Sequence, residues 1–242
     1  MSETTSSAPV LQIQKDGNTP QHGHRKRVLQ RLAKHGYTSF LDYEIVEMML
    51  FLVFKRKDTK PLAKILIEKF GTIDRIIEAP RESLMSIPGI GENAVSAFKV
   101  IDAIVKSSLQ SRIIKKSIIE CFDDVLKYCK ASMKNLTSEE FRIILLNGIN
   151  EIICDEIVQK GSIDSVNVSP REILKLCIEK GAKGFILVHN HPSGDPTPSV
   201  NDVYMTKRIQ EAANVFNITL YDHIIIGMDK YISFRNLKII KE

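Results

Sequence analysis

The strongest chemical signal in this 242-residue chain is a pair of histidines two positions apart, His189 and His191, with Asp202 eleven residues further on. The histidines end the wholly apolar run Phe185–Val188. Side chains alternate along a strand, so i and i+2 share a face and two imidazoles there can reach one ion. The end of a buried strand is also where sites in α/β sheets gather. A Pro-rich loop, Pro192–Pro198, follows, and Ser199 and Asp202 then open a helical pattern. A carboxylate in that first turn can point back at the strand end. Two imidazoles, one carboxylate and an open position match a catalytic zinc pattern, and the donor set suits Zn²⁺ better than Mg²⁺ or Ca²⁺. The same residues admit a plainer reading. Ser199-x-x-Asp202 is also a capping box, with Asp202 reaching back to the Ser199 amide. Histidine pairs also occur as ordinary core or surface residues. Full capping and metal ligation are competing uses of one carboxylate.

Segments that position these residues mix helices and strands. ECFDDVLKYCKASM reads as a helix, and FRIILLNGINEIICDEIVQ as a hairpin turning at Asn147–Asn150. SPREILKLCIEKGA is a helix with Ser169 at its N-cap and Pro170 at its first position. GFILVHNH is a buried strand, SVNDVYMTKRIQEAANVF a helix, and ITLYDHIIIGMDKYISF a strand pair. The second half is therefore α/β or α+β. The first half differs. From about Gly23 to Arg112 apolar residues recur at spacings of three and four, and Gly36 and Gly71 suit helix ends. Residues 1–22 are Ser/Thr/Gln-rich without periodicity and read as a disordered tail. Residues 113–118 read as a linker, followed by a domain over 119–242.

Composition narrows the class. Hydrophobic content of 43% is that of an ordinary globular protein. The longest apolar run, Met48–Phe54, is far short of the roughly 20 residues a membrane span needs. The N-terminus lacks the features of a secretory signal. Cys121, Cys129, Cys154 and Cys177 have no C-x-x-C spacing and read as reduced core thiols. The expectation is a soluble, cytoplasmic protein. The net charge of +5 falls wholly in residues 1–112, which carry 17 basic and 12 acidic side chains. That asymmetry suggests a polyanion partner for the first half, or else a solvated basic surface.

A family resemblance enters at the histidines. His189-x-His191-Pro192, the seven residues Pro192–Pro198 and Ser199-x-x-Asp202 resemble the JAMM (MPN+) motif. The surrounding VHNHPSGDPTPS, the upstream SPRE and the later YDHIIIG resemble the RadC family over about residues 23–242. The resemblance implies an N-terminal all-α, helix-hairpin-helix-like domain and a C-terminal α/β JAMM/MPN-like (cytidine-deaminase-like) domain. It implies a Zn²⁺ cofactor on His189, His191 and Asp202, and Ser199 as a donor to the oxyanion of a tetrahedral intermediate. It also implies an upstream glutamate as general base. Glu140, in Ser138-Glu139-Glu140-Phe141 before RIILL, is the choice, with Glu172 of SPRE the alternative and Glu139 and Glu156 behind them. Zinc would lower the pKa of a bound water toward about 7, and the glutamate would move its proton. The implied activity is zinc-dependent hydrolysis of a peptide or isopeptide bond, with an unidentified protein or peptide as substrate and a link to DNA repair. The alternative is a DNA-binding repair or recombination accessory protein whose zinc domain is structural or regulatory. His223, in Tyr221-Asp222-His223, reads either as a partner of a metal-site imidazole or as a structural histidine on a strand.

Ser86–Ala94, SIPGIGENA, resembles the helix-hairpin-helix motif of DNA-repair proteins. Gly89 and Gly91 permit a turn that needs positive φ or close approach. Free amides at the start of the next helix can hold a phosphate oxygen, whatever the sequence. Arg25, Lys26, Arg27 and Lys55–Lys57 could add phosphate contacts. A plain hairpin between packed helices fits the same residues, and Glu92 at the turn opposes an anion.

Overall fold

The computed structural model describes residues 21–161 and 168–240. The tail expected over residues 1–22 lies outside the described residues except for Gln21 and His22, whose backbone already belongs to the first helix. The chain divides into two compact units after Val100.

The first unit is helical, as its periodicity requires. It contains α1 (Gln21–His35), α2 (Asp42–Phe51), α3 (Lys60–Phe70), α4 (Ile73–Glu78), α5 (Arg81–Met85) and the start of α6 (Glu92–Ile113). Val46, Leu50, Leu62, Leu66, Ile76, Leu84 and Phe98 form its core. Gly36 (φ 70°) and Gly71 (φ 85°) follow α1 and α3 and donate to the carbonyls of Leu32 and Ile67. Both take a positive φ, which a residue without Cβ adopts cheaply. The division between the units falls inside α6, which runs to Ile113. The expected linker is therefore shorter, residues 114–117, and it is held by a bridge from Ser117 to Glu151.

In the second unit, α7 (Ile118–Met133) precedes a hairpin of β1 (Glu139–Leu146) and β2 (Ile152–Gly161). Then come α8 (Pro170–Glu179), β3 (Gly184–Asn190), α9 (Val200–Val215), β4 (Thr219–Ile226) and β5 (Tyr231–Ser233). The hairpin turn lies where Asn147 and Asn150 predict it. The Asn147 side-chain oxygen accepts from the amides of Ile149 and Glu151, and Asn150 takes φ 65°. Ser169 caps α8 and Pro170 opens it, as its sequence requires. The sheet order is β2-β1-β3-β4-β5. β3 and β4 are parallel, joined through α9, and the other pairs are antiparallel. α7 covers one face, and α8 and α9 cover the other. The unit is a three-layer α/β sandwich, whose sheet faces divide the β1 side chains in alternation. Phe141, Ile143 and Leu145 enter the α8/α9 side, and Ile144 and Leu146 the α7 side. Among the described residues no helix is long and apolar enough to cross a membrane.

Candidate metal centre and hairpin

β3 is buried along its whole length and delivers His189 at its end, fully buried. Phe141, opposite it on β1, stacks on the His189 ring with centroids 5.6 Å apart and planes 13° from parallel. His191 follows on the same face. Asp202 reaches the same point from the first turn of α9, and Glu139 reaches it from the start of β1. Donor atoms of these four residues all lie within 4.8 Å of one another.

The hydrogen-bond network assigns the imidazole tautomers. The Thr206 hydroxyl donates to the Asp202 carbonyl (2.6 Å), so its oxygen accepts from His223 Nδ1–H (2.6 Å). His223 Nε2 then accepts from His189 Nδ1–H (2.8 Å). His191 Nδ1–H donates to the Asp195 carbonyl (2.8 Å). Each ligand imidazole therefore presents a bare Nε2 lone pair, and the two Nε2 atoms are 3.1 Å apart. Carboxylate oxygens complete the group: Asp202 Oδ1 is 3.4 Å and Glu139 Oε1 3.7 Å from His189 Nε2. Lone pairs and anionic oxygens converging at this range repel one another unless a proton or a metal ion lies among them. The donor set fits a metal ion.

Burial pushes the His189 pKa down to about 4, against the pull of Asp202. Hydrogen bonding to Asp202 draws His191 up. Burial pushes the Asp202 carboxyl up, but His191, His189 and the Ser199 donors together hold it well below the usual carboxylate range. Glu139 is raised, chiefly by burial.

Capping and ligation turn out to be compatible. Asp202 Oδ2 accepts from the Ser199 amide (2.8 Å) and hydroxyl (2.7 Å), while Oδ1 faces His189. Oδ2, the capping oxygen, also lies 3.6 Å from His191 Nε2, so capping leaves both carboxylate oxygens near the imidazoles. The Ser199 hydroxyl is thereby engaged, giving its proton to Asp202 and accepting the Asp202 amide (3.1 Å). It must rotate before it can donate to an oxyanion.

The structure does not bring Glu140 into this group. Adjacent strand residues face opposite ways, and Glu140 lies on the other face, bound to Arg142 Nε (2.5 Å) and Lys160 Nζ (3.0 Å). Glu139, two positions before the stacking residue Phe141, faces the histidines. Glu172 is exposed in the first turn of α8, and Glu156 pairs with Lys180 (3.0 Å). Neither joins the metal group. His223 does stand behind His189, but its other nitrogen meets the Thr206 hydroxyl rather than a carboxylate. Asp222 instead takes the amides of His223 and Arg235 and the Ser233 hydroxyl. Thr206 and Asn190 went unnoticed in the sequence. A helical offset of four from Asp202 was the only signal for Thr206, and Asn190 gave none beyond its place between two histidines.

In the helical unit, Gly89 sits in the turn before α6 with φ 93°, and the Gly91 carbonyl accepts the amides of Ala94 and Val95. Lys57 lies beside this turn. A Cβ on Gly89 would stand 2.8 Å from its Nζ, which is 5.0 Å from the Phe54 ring centroid. Glu92 pairs with Arg81, which offsets its charge at the helix start. Arg25 is occupied: it donates to the carbonyls of Lys55 and Lys57 (2.9 Å each) and lies 4.7 Å over Phe51. It shapes the basic loop and keeps its charge there, since carbonyl acceptors do not neutralise a guanidinium. Lys26 and Arg27 are exposed.

Fold and site together define an α/β domain of the JAB type with a histidine–carboxylate metal group. The sequence model described as "RadC-like JAB domain" matches residues 119–239, half of the chain, and the protein belongs to that family.

Proposed function

We propose that this protein is a zinc-dependent hydrolase acting on an amide bond, peptide or isopeptide. The observation that carries the reading is the convergence of two bare imidazole nitrogens, one Asp202 oxygen and the Glu139 carboxylate. Ligand atoms about 2.0–2.1 Å from a tetrahedral zinc stand about 3.3–3.4 Å from each other. The His189–His191 and His189–Asp202 separations of 3.1 and 3.4 Å bracket that edge. His189 Nε2, His191 Nε2 and Asp202 Oδ1 would hold the ion, and Glu139, the farthest of the four, is left for proton transfer. Bound zinc supplies Lewis acidity, polarising a carbonyl and acidifying water. Glu139 Oε1 then takes the proton of the attacking water and delivers it to the leaving amine. Ser199 Oγ, once turned from Asp202, donates to the developing oxyanion. Thr206 and His223 hold His189 in the tautomer that leaves Nε2 bare.

Metal analysis should find about one zinc per chain, and the His189→Ala/His191→Ala protein should contain none; undiminished zinc in that variant removes the site. Hydrolysis of an amide-linked substrate should fall by about 10²–10⁴-fold with Glu139→Gln and persist with Glu140→Gln. The opposite pattern would restore Glu140 as the base.

A second reading concerns the helical unit. The Gly89 turn, the opening of α6 and exposed Lys55–Lys57 favour sequence-blind binding of duplex DNA phosphates. Replacing Lys55, Arg56 and Lys57 by Gln in the full chain should weaken duplex binding in low salt and flatten its salt dependence. An unchanged salt slope refutes the assignment.

A further inference from the structure

Asn190 stands between the two ligand histidines, with its side chain on the face opposite theirs, and is buried. Its amide makes two bonds to one short stretch of β1. Oδ1 accepts the Glu140 amide (2.8 Å), and Nδ2 donates to the Ser138 carbonyl (3.1 Å). These two backbone groups bracket Glu139. The regular β1–β3 pairing ends at Phe141–His189, whereas the β3–β4 ladder runs on through Asn190–Ile226 to the His191 amide, which donates to the Ile226 carbonyl (3.0 Å). Past that point no backbone of β3 is paired with β1. The Asn190 side chain takes its place, reproducing one donor and one acceptor of a strand. An amide side chain offers both on separate atoms of one planar group, as a peptide does.

We infer that Asn190 is a positioning residue, extending the β1–β3 ladder by one step through its side chain so that Glu139 is held against the metal group. Glu139 is the first residue of β1; its backbone pairs with Gly161 of β2 on one side, and on the β3 side the strand ladder stops short of it. The Glu140 side chain adds a second tie on the far face, through Arg142 and Lys160, but a side-chain ion pair does not fix the peptide planes on either side of Glu139. The Asn190 amide does, from the strand that carries both histidines, so ligands and carboxylate move as one body. The inference rests on the reading of Glu139 as facing the metal.

The test is a double-mutant cycle read by the visible spectrum of the Co²⁺-loaded full chain at one fixed pH, with metal stoichiometry measured alongside. Glu139→Gln should change the spectrum. Asn190→Ala should shift it toward that of Glu139→Gln while one metal per chain is retained. Adding Asn190→Ala to Glu139→Gln should change nothing more, because Asn190 acts through Glu139. Amide exchange at Glu140 should quicken about tenfold in Asn190→Ala, since one protecting bond is gone. If Asn190→Ala keeps the wild-type spectrum, or the two changes simply add, the inference fails while the Glu139 reading stands. If Glu139→Gln itself leaves the spectrum unchanged, the Glu139 reading fails and takes the inference with it. Should Asn190→Ala not fold, Asn190→Asp enters the same cycle. It keeps an acceptor for the Glu140 amide and loses the donor to Ser138, and the same outcomes decide.

Discussion

Replacing His223 by Phe tests whether the network behind the metal group sets its affinity. His189 and His223 are both fully buried, and the only bond between them runs from His189 Nδ1–H to His223 Nε2 at 2.8 Å. Phe fills the volume, and the neighbouring Phe234 and Phe141 rings (centroids 4.6 and 5.6 Å away) make an apolar ring acceptable there. What is lost is the acceptor. His189 can then keep a buried N–H without a partner, at about 1–3 kcal/mol, or move its proton to Nε2 and stop being a ligand. At about 1.4 kcal/mol per decade, the first course weakens metal binding about 5- to 150-fold, which spans the 10–100-fold typical of a lost partner behind a ligand. The assay is zinc competition against a chelator of known affinity, with thermal melting of the metal-free protein as a control on folding. Thr206→Val should have a smaller effect in the same direction, because His223 then keeps its bond to His189 and loses only the tie that fixes its tautomer. A zinc affinity within threefold of wild type for His223→Phe, in a folded protein, would refute the tautomer argument.

Three further outcomes follow from the same geometry. Glu140→Gln removes a carboxylate from the partly buried Arg142, which retains Asp155 at 2.8 Å; it should cost about 1–3 kcal/mol in denaturant unfolding and leave zinc stoichiometry at one. Zinc affinity should fall with acidity through the raised pKa of His191, because protons compete for Nε2. His191 gives way before His189, whose own pKa is pushed down. Binding is thus full above the His191 pKa and lost below it, and a pH-independent zinc Kd between mildly acidic and neutral solution would contradict this. Gly89→Ala should destabilise the helical unit by about 1–2 kcal/mol through its left-handed φ alone; the 2.8 Å approach to Lys57 adds little, because the tip of that side chain can move. An unchanged melting temperature would show that the turn relaxes.

The sequence by itself determined the helical first half, the hairpin at Asn147–Asn150, the capped start of α8 and the gathering of His189, His191 and Asp202. Each of these depends on local rules: periodicity, turn chemistry, alternation along one strand, the first turn of one helix. Family motifs carried the same residues to a RadC-type domain. The tertiary structure decided everything that crosses between elements. Glu139 rather than Glu140 faces the metal group because the register of β1 against β3 sets Phe141 opposite His189, and a one-residue slip would exchange the two carboxylates. No local pattern fixes that register. Arg25, legible only as a cation, is bound to two loop carbonyls thirty residues away. Thr206 and His223 become a tautomer-fixing pair only because α9 lies over β4. Asp202, whose two uses looked partly exclusive in the sequence, caps α9 through Oδ2 and still keeps Oδ1 beside His189, because the first turn of α9 is set against the end of β3.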